Sequence, residues 1–331
     1  MRVLVTGGGG FLGSALCRAL VARGDAVRSL ARSEYPELAA LGVECHRGDV
    51  ADEAATSRAV EGCDAVCHVA AKAGVWGPFI EYHRANVIGT QHVIAACQKH
   101  GVPKLVYTSS PSVVYAGGDE CGIDESVPYP ERYLTHYPKT KAEAERLVLA
   151  ANGESLATVA LRPHLIWGPG DNHLVPRLLA KAKAGKLRRV GTGKNVVDTT
   201  YIDNAVQAHV AALDRLHPQG ACAGKAYFIA NDQTQPLWDL IDRMLACGNA
   251  PPVTRHISAT TAYVAGAWLE LVYGALWLTT EPPMTRFVAR QLATSHWYNL
   301  AAAKRDLGYA PSVTVDEGLV RLRAWLSARP P

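Results

Sequence analysis

Apolar positions along the chain fall into short continuous runs separated by stretches with helical periodicity. Arg2 to Val5 is such a run. A glycine-rich turn follows it, and then apolar positions, Leu12, Leu20 and Val21 among them, recur at helical spacing. Similar runs stand at 26–31, 43–46, 65–69, 105–107 and 158–161, each separated from the next by a helix-like segment. Continuous apolar strands alternating with helices predict an α/β protein with a doubly wound parallel sheet, because helices cover both faces of such a sheet. From about Gly168 onward the alternation degrades.

One later stretch breaks the pattern differently. Residues 262–278 are apolar around the whole helical circumference, with Glu270 the only charge and with Tyr263, Trp268, Tyr273 and Trp277 on different faces. Such a helix is buried, or lies against lipid or a partner. Its length sits at the lower limit of a membrane span. The expectations are a hydrophobic lid or wall over a long-chain ligand, peripheral contact with a membrane or partner, or core packing.

Composition narrows the field. With 48% hydrophobic and 19% charged residues, the 331-residue chain is globular, and a net charge of +4 without a basic run excludes a nucleic-acid surface. Eight scattered cysteines form no CxxC pair and twelve histidines no metal-ligand spacing, so neither a disulfide framework nor a zinc site is expected. The first residues run straight into a strand. A cytoplasmic protein without a leader is the expectation.

Chemistry-bearing residues cluster where strands end. After the first strand, Gly7, Gly10 and Gly13 are spaced GxxGxxG around Phe11 and Leu12. Glycines in such a turn let the backbone approach a pyrophosphate, and the helix that follows offers it free N–H groups. The second strand ends in Ala31-Arg32, where an acidic residue would accept from ribose hydroxyls; a guanidinium suits a phosphate, so NADPH is expected over NADH. After the third strand, Asp49, beside Val50, either meets an adenine or caps the helix starting near Asp52. Small residues including Ala70 and Ala71, with Lys72, close the fourth strand, and Ser109-Ser110 closes the fifth. Ligands gather at such carboxyl ends in open α/β sheets. Tyr137 and Lys141 then stand four apart on a helix, one face toward both. An ammonium beside a phenol favours the phenolate, which would lower the Tyr137 pKa and make it a proton donor or acceptor near neutrality.

The glycine turn, the strand-end serine and YxxxK, in that order, resemble the extended branch of the short-chain dehydrogenase/reductase superfamily. Asn86 in ANVIGT, the LRP run ending at Pro163, WGPGD at 167–171 and YIDN at 201–204 with His209 behind it carry the likeness further. Within the branch, YTSS, EPPMTRF at 281–287 and HWY at 296–298 are similar to the 3β-hydroxysteroid dehydrogenase and sterol-4-carboxylate 3-dehydrogenase group. GGGGFLG, AKAGVWG and LIWGPGD are similar to bacterial reductases of 2-alkyl-3-oxoalkanoates in long-chain olefin biosynthesis.

The resemblance implies an NADP-binding Rossmann domain over 1–165, rejoined by chain near 199–212, and a substrate-binding lobe over 166–331. It implies reduction of the 3-keto group of a two-tailed fatty β-keto acid with NADPH, in company with other olefin-pathway enzymes and as a homodimer. Tyr137 would be the acid, Lys141 the holder of the nicotinamide ribose, Ser110 rather than Ser109 the partner of the substrate oxygen, and Pro163 a wall against the nicotinamide. Asn86 matches the helix asparagine of the superfamily or is a buried structural amide. The rivals are a steroid or sterol-carboxylate dehydrogenase and a non-catalytic dinucleotide-binding regulator.

Overall fold

A computed structural model describes residues 1–328. Seven strands form one parallel sheet: β1 (Arg2–Thr6), β2 (Ala26–Ala31), β3 (Glu44–Arg47), β4 (Ala65–His68), β5 (Lys104–Thr108), β6 (Ala157–Pro163) and β7 (Lys225–Ile229). Their spatial order is β7-β6-β5-β4-β1-β2-β3, so the chain winds outward one way from β1, then crosses over and winds the other way from β4. The longer helices are α1 (Phe11–Ala22), α2 (Glu53–Val60), α3 (Gly89–His100), α4 (His136–Ala150), α5 (Leu174–Lys183), α6 (Ile202–Arg215), α7 (Leu237–Cys247), α8 (Ala259–Ala275) and α9 (Arg286–Ala293).

The side-chain alternation of a strand distributes these helices over the two faces. Val3 and Val5 of β1 point into a core with Leu12, Leu16 and Leu20 of α1 and Ala205, Ala208 and Ala212 of α6. Leu4 points the other way, into a core with Ala59 of α2, Val93 and Cys97 of α3, and Ala144 and Val148 of α4. Every residue of β6 is buried, as befits a strand covered on both faces. Crossover at β1 and β4 leaves a crevice outside the strands' carboxyl ends.

Beyond β6 the chain does two things. Helix α6 packs beside α1 against the sheet, and β7 pairs in parallel with β6 from Lys225↔Val159 to Ile229↔Pro163. The rest builds a flank of short strands and helices. Residues 120–123, 296–298, 196–197 and 235–236 form a four-stranded sheet, and α8 lies against α9. The apolar segment is the body of α8 and the turn after it, and Gly266 is what seats it: a Cβ there would stand 2.6 Å from the Thr285 carbonyl carbon. The opposite side is bare, with Val264, Trp268, Leu271, Leu276 and Trp277 exposed. Among the described residues no helix is long and apolar enough to cross a membrane.

Candidate active site

A cleft of about 980 Å³ opens at the carboxyl edge of the sheet. Its floor is the turn between β1 and α1. Gly7 has φ +70°, and a Cβ added at Gly13 would lie 2.1 Å from the Gly7 carbonyl oxygen, so this tight turn needs both glycines. Gly10 caps α1 without a side chain, which leaves the helix's first N–H groups facing the cleft beside Phe11 and Leu12. That cradle fits a dinucleotide pyrophosphate. Thr6 braces it from behind: its hydroxyl accepts from the Val69 and Ala70 amides and pairs with His68 Nδ1 at 2.7 Å.

On the β2 and β3 side, Arg32, Asp49 and Val50 line the same cleft. Asp49 does not cap α2; Asp52 does, accepting from the Ala55 amide, while Asp49 accepts from the Ala51 amide and faces Arg84 at 3.6 Å. Arg32 is exposed just beyond β2, and no hydrogen bond or ion pair holds its guanidinium among the described residues.

On the β4 to β6 side, Ala70, Ala71, Lys72, Ser110, Tyr137, Lys141 and Pro163 line the cleft together. Residues distant in sequence are brought here by sheet order alone. Ser110 caps the short turn 111–113, its hydroxyl 2.9 Å from that of Ser112. Ser109 is buried, its hydroxyl without a hydrogen-bond partner among the described residues. Thus Ser110, not Ser109, faces the tyrosine.

The electrostatics differ from the expectation that Lys141 draws down the Tyr137 pKa. Burial raises the Tyr137 phenol, and it is a hydrogen bond with Ser110 that pulls it back. The Lys141 ammonium is occupied elsewhere: it donates to the Thr108 carbonyl at 2.6 Å and lies 4.1 Å from the centre of the Tyr107 ring. Burial lowers its own pKa to about 7, partly offset by Glu145 one helical turn on. Spacing showed a shared helix face but not how deep that face is buried.

Two positioning groups complete the site. Asn86, in a π-helical turn (His83–Ile88), accepts from the Lys72 amide at 2.7 Å and donates to the Lys72 carbonyl and the Thr140 hydroxyl. It ties the end of β4 to the turn of α4 that carries Tyr137 and Lys141. Glu145 forms a fully buried ion pair with Arg162 of β6, and Tyr129 donates to it at 2.7 Å. Nothing in the sequence pattern pointed to this pair, because its members sit in an ordinary helix and an ordinary strand. His209, behind the YIDN motif, bonds the Thr108 hydroxyl at 2.8 Å and is packing for β5.

A crossover crevice with a side-chain-free helix N-terminus at one end and a serine, tyrosine and lysine converging at the other defines an oxidoreductase of the extended short-chain dehydrogenase/reductase class, acting on CH–OH/C=O groups with a nicotinamide dinucleotide. The sequence profile of the 3-beta hydroxysteroid dehydrogenase/isomerase family matches residues 4–249, and the chain belongs to that family. It is 56% identical over 327 residues to a 2-alkyl-3-oxoalkanoate reductase of Stenotrophomonas maltophilia, covering 98% of this chain and 99% of that protein. A 2-alkyl-3-oxoalkanoate reductase of Shewanella oneidensis is 51% identical over 333 residues, covering 98% and 86%. Among solved structures, MoeE5 in complex with UDP-glucose and NAD superposes with a TM-score of 0.76 at 25% identity, covering 99% of each chain.

The expectation of NADPH is corrected by this comparison. MoeE5 and further solved structures of the fold hold NAD. The physical reason lies at Arg32. One exposed, unheld guanidinium at the end of β2 is a solvated side chain, whereas a phosphate pocket needs donors fixed in place.

Proposed function

We infer that the protein reduces the 3-keto group of a long-chain 2-alkyl-3-oxoalkanoate to the 2-alkyl-3-hydroxyalkanoate, with NADH as reductant. The observation that carries the reading is the meeting of Ser110, Tyr137 and Lys141 in one cleft, in a chain similar along nearly its full length to reductases of that name. A bound dinucleotide supplies the hydride. Gly7, Gly10, Gly13 and the first N–H groups of α1 would hold its pyrophosphate, and Pro163 and Ala70 would wall its nicotinamide end. Tyr137 donates its phenolic proton to the carbonyl oxygen, and Ser110 donates a hydrogen bond that stabilises the developing negative charge. Lys141 fixes the ribose side and takes part through its position, held by Thr108. The apolar arm at α8 supports a lipid-like substrate, since its C-terminal turn stands beside the cleft through Trp76, whose indole donates to the Leu278 carbonyl at 2.9 Å.

The test is NADH consumption with a long-chain 2-alkyl-3-oxoalkanoate, set against NAD⁺ reduction with a 3β-hydroxysteroid. The fatty ketone should be turned over and the steroid not. Tyr137→Phe should lower kcat by roughly 10²–10⁴-fold with dinucleotide affinity kept. Full activity in that variant sinks the assignment of the acid.

A further inference from the structure

A 3-oxo acid carries its carboxylate one carbon away from the ketone. Any cation that reads the carboxylate must therefore stand beside Tyr137 and not at the adenosine end. The cleft is lined by five basic side chains: Arg32, Lys72, Arg84, Lys141 and His173. Arg32 follows β2, on the far side of β1 from the tyrosine, and the Arg84 guanidinium is turned to Asp49, which follows β3. Lys141 is fully buried, donates to the Thr108 carbonyl and is assigned above to the ribose side. His173 lines the cleft from the head of α5, in the stretch that follows β6.

Lys72 remains, and its setting is built. Its backbone is clamped by Asn86, which also bonds Thr140 between Tyr137 and Lys141. Its ammonium lies 2.7 Å from Glu81 and 5.3 Å from the centre of the Tyr82 ring, with the side chain 35% exposed. Tyr82 is fixed in turn by donating to the Trp76 carbonyl at 2.8 Å. One ammonium proton is used by Glu81, which leaves two to offer a second carboxylate.

Resting on the reading above, we propose that Lys72 is the specificity-determining residue that receives the substrate's carboxylate, with Glu81 as the resident acid the substrate displaces or shares. The same loop carries Trp76, which meets Tyr273 edge-on at 6.2 Å and bonds the end of the apolar arm. A two-tailed acid thus finds a cation for its head and an apolar path for its tails on one short segment.

The experiment uses the full-length protein and a stable substrate, a long-chain 2-alkyl-3-hydroxyalkanoate oxidised with NAD⁺, beside its methyl ester. Wild-type protein should favour the acid. Lys72→Gln should raise the KM for the acid by roughly tenfold to a hundredfold, the loss of one charge-assisted contact, and change the ester little. Lys72→Arg should restore most of the preference. Glu81→Gln should lower the KM for the acid, an effect opposite in sign. Equal losses on acid and ester, no loss at all, or a preference that survives in Lys72→Gln and vanishes in His173→Gln would overturn the role of Lys72 while leaving the reductase reading intact. Turnover of neither compound by wild-type protein would remove both.

Discussion

The α4 side of the cleft and the α8 arm treat charge and apolar surface in opposite ways. Around α4 the charges are inside: Glu145 and Arg162 are paired in full burial, and the Lys141 ammonium is spent on a backbone carbonyl. Along α8 the apolar groups are outside, with Trp268 63% and Trp277 90% exposed, while Glu270 and Arg286 tie the arm to its neighbour near the surface. The first arrangement costs stability and fixes geometry. The second contributes little to stability and leaves a face free for a ligand or surface. Chemistry and recognition are thus held by different physical means.

The sharpest way to break the contrast is at the buried pair. Arg162→Met leaves the buried Glu145 without its cation, with only the Tyr129 hydroxyl beside it, and should cost about 3–5 kcal/mol in denaturant unfolding; a loss below ~1 kcal/mol would mean that the pair is not isolated from water. On the arm, Gly266→Val presses a side chain into the Thr285 backbone and should cost about 1–3 kcal/mol, with tail-dependent substrate affinity falling before dinucleotide affinity does.

Lys141 gives a pH-dependent test. Its pKa is lowered to about 7 in the fold, below the lysine value of about 10.4 in an unfolded chain. Below the folded value the ammonium is buried and charged, so its destabilisation is complete. Between the two values the unfolded chain binds more protons and stability rises with pH. Lys141→Met should therefore raise the melting temperature most at pH 6 and progressively less toward pH 10, while turnover is lost. A gain independent of pH would contradict the buried charge. The smallest effect belongs to Trp268→Ser, expected within about ±0.5 kcal/mol because most of that side chain faces solvent; a large loss would show that the arm's outer face is packed.

How far the sequence could be read follows the same division. The parallel sheet, the glycine turn and the meeting of Ser110, Tyr137 and Lys141 were legible, because strands announce themselves by local apolar runs and the residues sit at strand ends. What was not legible depends on contacts across the fold. β7 has no motif and was missed. The engagement of Lys141 by Thr108 and the Glu145–Arg162 pair join elements that only the sheet order makes neighbours. The dinucleotide preference read from Arg32 failed for a related reason: residue type showed a charge, but not that nothing holds it.

The last strand has a consequence for how this molecule is made. β7 comes from residues 225–229 and completes the edge beside β6. A chain cut after residue 165 would expose the long apolar edge of β6, a template for joining other chains. During synthesis that edge waits for some sixty residues of the flank to emerge, the span from Pro163 to Lys225. The two halves are therefore one folding unit, and attempts to exchange the flank between relatives should carry β7 with the sheet.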